Sequence, residues 1–148
     1  MYHSILVPID GSAQSRKALE VAVDLIDSDR GLLYALNVQE PPLAEDTLGR
    51  ATGAPARNAD RVVQSSGQVV LDSVRAEAGL DAERVQTLVR AGRPASVIVS
   101  EAERLGVDAI VIGSRGTSDI GSLIMGSVSH RVLHSAPCSV IVVADRTP

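Results

Sequence analysis

The sequence predicts an α/β fold, an open five-stranded parallel sheet in the order 3-2-1-4-5 with helices on both faces, formed by a single domain over residues 1–148. Three observations predict it. Short apolar runs, as of strands buried on both faces, alternate with segments of helical periodicity through the chain. Glycine, proline and small polar residues punctuate nearly every junction. The run Ala109 to Ile112 opens into a segment holding four of the twelve glycines, Gly113, Gly116, Gly121 and Gly126, before helical spacing resumes at Val128, Val132 and Leu133.

Ser4-Ile5-Leu6-Val7-Pro8-Ile9 reads as the first strand, with Pro8 near its end because proline cannot donate to the ladder. Asp10-Gly11-Ser12 turns the chain, and Ser12 is placed to cap a helix from Ala13 to about Asp27, whose inner face carries Leu19, Ala22, Val23 and Ile26. Leu32 to Val38 is the second strand. Residues 39–58, with three prolines and two glycines, form a long irregular connection. Asn58 is expected to cap a helix from Ala59 to about Ala78, weakened at Gly67 and ended by Gly79. Arg84 to Arg90 alternates polar and apolar residues as an edge strand does. Gly92-Arg93-Pro94 opens a helix with Ile98, Ala102 and Leu105 inward, ended by Gly106. Ala109 to Ile112, a helix from Ser127 to about His134, and Ser139 to Val143 complete the series.

Composition narrows the function. The core is aliphatic, since 45% of residues are apolar while Phe and Trp are absent. Fourteen basic against eighteen acidic residues, without long runs of either sign, argue against nucleic acid. A single cysteine, Cys138, excludes an internal disulfide framework and reads as a small buried residue. No apolar run approaches the roughly 18 residues of a membrane span, and the N-terminus reads as a strand rather than a leader. The expected location is cytoplasmic. His3, His130 and His134 lack the spacing of a three-ligand metal site and are read as surface residues.

The glycine segment carries the chemistry. Glycines between a strand and a helix start let backbone N–H groups approach an anion. No G-x-G occurs, which excludes the dinucleotide fingerprint, and the only lysine, Lys17, is not in a P-loop. What remains is Gly113-x₂-Gly116-x₉-Gly126-Ser127. In sheets of this winding, ligands bind beyond the strand ends where the order reverses, which brings Asp10 beside the segment. Asp10 reads either as a ligand acceptor or as a helix cap, Ser127 as phosphate contact or cap, and Arg115 as directed to phosphate or to solvent.

That spacing, with Val7-Pro8-Ile9-Asp10-Gly11-Ser12, Gly92-Arg93-Pro94 and Ala136-Pro137-Cys138, resembles the universal stress protein family over nearly the whole chain. Ser139 departs from it, standing where members commonly have proline. The resemblance implies a Rossmann-like, adenine nucleotide alpha hydrolase-like fold that binds ATP, with Mg²⁺ held mainly by phosphates and water. It implies ribose contact at Asp10, adenine contact at the Val38 backbone, and ribose and phosphates enclosed by Gly113, Gly116, Gly126, Ser127 and Val128. Pro8, Ile112 and Arg115 complete the implied cofactor-binding set, with no catalytic and no metal-binding residue. The function implied is stress regulation through a nucleotide-dependent protein partner. Two others compete with it: slow ATP hydrolysis or nucleotidyl transfer, and a dimeric scaffold without nucleotide. No Walker lysine, no general base beyond Asp10 and no obvious Mg²⁺ ligand set support dedicated catalysis. Ser139 to Val143, uncharged and β-branched from Val140 onward at a sheet edge, is expected to pair with a second copy as a homodimer, and proline at Ile141 to block that pairing.

Overall fold

The computed structural model describes residues 1–40, 56–115 and 125–144. The connection over 41–55, together with Gly116 and Gly121, lies outside the described residues. Five strands form one parallel sheet: β1 (Ser4–Pro8), β2 (Leu32–Gln39), β3 (Val85–Ala91), β4 (Ala109–Gly113) and β5 (Ser139–Val143). Their order is β3-β2-β1-β4-β5, as the sequence predicts, so the winding reverses between β1 and β4.

Alternate residues of each strand feed two aliphatic cores. Ile5, Val7, Ala35 and Val111 face α1 (Ala13–Leu25), α2 (Ala56–Leu71) and α3 (Val74–Ala78). Leu6, Leu36, Ile110 and Ile112 face α4 (Pro94–Leu105) and α5 (Ser127–Ser135). Ile5, Leu6 and Val7 are wholly inaccessible, which is why a strand between two helical layers reads as an unbroken apolar run. Among the described residues no helix is long and apolar enough to cross a membrane.

The departures from expectation are local. The helix expected from Ala59 begins at Ala56, so Asn58 lies inside its first turn and is not its cap. It also breaks after Leu71, at Asp72 and Ser73, short polar side chains that favour turns over helix interiors. Gly79 then ends α3 at φ 62°, as expected. Gly67 is more than a weak point. It is buried, and a Cβ there would stand 2.4 and 2.8 Å from the two Val89 methyls. It is the place where α2 lies directly on β3.

Candidate functional site

The carboxyl ends of β1, β2 and β4 open into a cleft of about 300 Å³, at the small end of ligand clefts. Each wall follows from local sequence. Pro8 ends β1, and Ile9 extends the pairing by one bond, its N–H donating to the Leu36 carbonyl at 2.8 Å. The Ile9 carbonyl accepts from Asn37 Nδ2, also at 2.8 Å, and Asn37 is itself buried. The chain then turns at Gly11, φ 85°, a conformation only glycine adopts readily. Asp10 is exposed in this turn and accepts from the Ser12 N–H at 2.9 Å. Ser12, not Asp10, caps α1, its Oγ accepting from the Ser15 N–H at 3.1 Å. The helix-cap reading of Asp10 is therefore corrected: its carboxylate stiffens the turn and stays accessible at the mouth of the cleft.

The opposite wall is the departure from β4. Gly113 is glycine for room. A Cβ there would meet the Gln14 Cβ at 3.1 Å and the Gln14 carbonyl carbon and oxygen at 3.2 Å, because the first turn of α1 presses on the strand end. Ser114 is buried, and its backbone is fully engaged: the N–H donates to the Val143 carbonyl at 2.8 Å and the carbonyl accepts from the Gly126 N–H at 2.5 Å. Ser129 Oγ donates to the Gly113 carbonyl at 2.7 Å and to the Ser114 carbonyl at 3.2 Å. The Arg115 N–H donates to Gln14 Oε1 at 2.6 Å.

Of the residues singled out in the sequence, Pro8, Asp10, Val38, Ile112, Gly113, Arg115 and Val128 line the cleft. Gly126 and Ser127 stand at the start of α5 beside it. Gly126 is the N-cap, without a side-chain cap for the helix, and Ser127 is the first helical residue and exposed. The cap reading of Ser127 is thus corrected by one residue. Leu36, Pro94 and Ile98 give the cleft an apolar floor on the α4 side, and Glu40 lies at its rim. Pro94 and Ile98 were visible in sequence as a helix entry and an inward face, without a signal that they meet a cleft. Gln14 and Ser129 carried no signal at all. Asp10, Glu40 and Arg115 supply the charge, and among the described residues no three His, Cys, Asp or Glu side chains group as a metal site.

Apolar slot, accessible carboxylate, and a helix start without a side-chain cap suit a ligand with a flat apolar part, hydroxyls and an anionic end. Comparison with known proteins is consistent with that geometry. A family model described as the universal stress protein family matches residues 1–144. The universal stress protein YxiE of Bacillus subtilis is 33% identical over 147 residues, covering 97% of this chain and 99% of that protein. The solved universal stress protein UspA from Lactobacillus plantarum superposes with a TM-score of 0.66 at 30% identity, over 96% of this chain and 97% of that one. A universal stress protein family protein from Arabidopsis thaliana, solved with AMP bound, gives 0.64 at 20% identity over 97% and 92%, a likeness of fold.

Proposed function

Because the chain belongs to the universal stress protein family, we propose that it binds ATP and acts in the stress response by presenting a nucleotide-dependent surface to a protein partner. The observation that carries this reading is the cleft at the reversal of strand order, with Asp10 on one side and the β4 exit and the start of α5 on the other. In the proposed complex adenine lies against Val38, Ile98 and Ile112, and the Asp10 carboxylate accepts from the ribose hydroxyls. The phosphates point away from Asp10, toward Arg115 and the first turn of α5. The Gly126 N–H donates to Ser114, so the phosphate contacts fall to the N–H groups of residues 127–129. Mg²⁺ is held by phosphates and water. The reading further places the protein in the cytoplasm, as a homodimer joined through β5, with a protein partner still to be identified.

The fold relative from Arabidopsis thaliana carries AMP, so the test must compare nucleotides as well as residues. Titration calorimetry suits a chain without tryptophan. Losing a charged acceptor costs about 1.5–3 kcal/mol, so Asp10→Ala should weaken ATP roughly ten- to a hundredfold. The 2′- or 3′-deoxy analogue should bind more weakly than ATP to the wild type and equally to the variant. If Asp10→Ala leaves that discrimination intact, the ribose assignment is wrong. A folded wild type that binds neither ATP nor AMP leaves the dimeric scaffold as the better reading.

A further inference from the structure

We propose that Gln14 is a positioning residue of the nucleotide cleft: its side-chain oxygen fixes the peptide that enters Arg115 and so sets the path of the chain from β4 toward the phosphates. The inference rests on the nucleotide reading and deepens it. Gln14 sits in the first turn of α1, two residues after the Ser12 cap, so it is carried by the same turn that presents Asp10. Its oxygen accepts twice, from the Arg115 N–H at 2.6 Å and from Ser114 Oγ at 3.3 Å. Both bonds fit one amide oxygen with two lone pairs, and a backbone N–H partner requires the oxygen, not the nitrogen, to face it. The glycine at 113 lets the two segments close: any side chain there would meet the Gln14 backbone.

The other side of the same peptide pair is held by Ser129 and Gly126 from α5. The Gly113–Arg115 segment is therefore gripped between the two helix starts that border the cleft. Ser114 is buried and Gln14 half-buried, so water does not easily replace the lost acceptor. Removing the oxygen leaves the Arg115 N–H without its acceptor, so that the peptide is held only at its Ser114 carbonyl end and the Arg115 side loosens. The proposed base and ribose contacts, Val38, Ile98, Ile112 and Asp10, all come before the Arg115 peptide on their own strands, helix and turn, and none is hydrogen-bonded to the Gln14 side chain. The expected signature is a loss confined to the phosphate end.

Gln14→Met keeps length and helix preference and removes the acceptor, whereas Gln14→Glu restores an acceptor oxygen. In the ligand-free protein, amide hydrogen exchange at Arg115 should quicken about tenfold or more in Gln14→Met and return toward the wild-type rate in Gln14→Glu. By calorimetry Gln14→Met should weaken ATP about tenfold, the scale of re-fixing the backbone of one residue on binding, while adenosine stays within twofold. Unchanged exchange at Arg115 in Gln14→Met overturns the clamp. Parallel weakening of ATP and adenosine, or weakening of neither, overturns the positioning role. A wild type that binds neither ligand rejects the nucleotide reading and the positioning role with it. The exchange measurement, made without ligand, separates that result from failure of the clamp.

Discussion

Gly67→Ala asks whether a mid-helix glycine is there by packing or merely tolerated. On helix preference alone, alanine should stabilise α2 by about 1 kcal/mol. The structure predicts the opposite sign. The new methyl would stand 2.4 Å from Val89 Cγ1, 2.8 Å from Cγ2 and 3.0 Å from Asn37 Oδ1. None of these neighbours gives way easily. Valine is stiff at χ1 and Val89 is buried in β3. Asn37 is held by the Ile9 carbonyl at 2.8 Å and by Gln39 Nε2 at 2.5 Å. Overpacking of this kind costs about 1–3 kcal/mol, so the net is a loss of up to about 2 kcal/mol. Urea unfolding at equilibrium reads it as a lower midpoint with an unchanged slope. Val89→Ala removes both clashing methyls, so the double variant should be more stable than the two single losses added, by about 1–2 kcal/mol of coupling. A Gly67→Ala protein more stable than wild type, or strict additivity with Val89→Ala, would refute the close-approach account.

Two further perturbations test the remaining framework. Glu101 is buried in α4 between Arg90, at 2.9 Å, and Arg104, at 2.6 Å. Burial pushes its carboxyl up, but the hydrogen bonds from Arg104 and Arg90 outweigh burial and hold it below its ordinary value of 4.5. A depressed folded-state value means the stabilisation is full above the ordinary value and is lost as pH falls through the folded one. Glu101→Gln should therefore cost about 1–3 kcal/mol near neutral pH, with the gap to wild type closing in acid; a gap independent of pH removes the ion pair from the account. For the proposed dimer, Val142→Pro should leave the fold and abolish pairing, read by sedimentation at micromolar concentration, and a wild-type monomer or a folded Val142→Pro dimer counts against β5 as the interface.

The choice of Val142 shows where sequence reasoning stops. That Ser139 to Val143 is an edge strand was legible, since the five residues are uncharged, the last four of them β-branched, at the end of an alternating series. Which peptide groups face the open edge was not. The Ser114 N–H donates to the Val143 carbonyl. In a parallel ladder a residue turns both its N–H and its C=O to the same neighbour, and successive residues alternate. Val143 and Ile141 therefore point to β4, and Val140 and Val142 to the edge. Proline at Ile141 would break the β4 ladder instead of the dimer, a correction that needs one hydrogen bond and no more. The strand order was legible for a similar reason: runs such as Ile5 to Val7 and Ala109 to Ile112 are buried on both faces, and periodicity reports burial directly. The start of α2 and its break at Asp72 were not, because a single polar residue such as Asn58 can cap a helix or sit within one.

The glycine segment shows the same limit inside the candidate site. Its spacing points to a strand-to-helix loop with small residues, and the cleft lies where that loop begins. What spacing cannot assign is the use of each peptide group. Gly113 is small because Gln14, far away in sequence, presses on it. Gly126 reads as a phosphate donor, yet its N–H closes the loop onto Ser114. Both uses require a backbone without a side chain, so a glycine is equally expected for either. Loop closure has first claim, because an unpaired N–H beside buried Ser114 would cost about 1–3 kcal/mol whether or not a ligand is bound. Anion binding is then left to the peptide groups that closure leaves without internal partners. At the start of any helix those are the next few N–H groups along the chain, here residues 127–129, which start α5 without a side-chain cap.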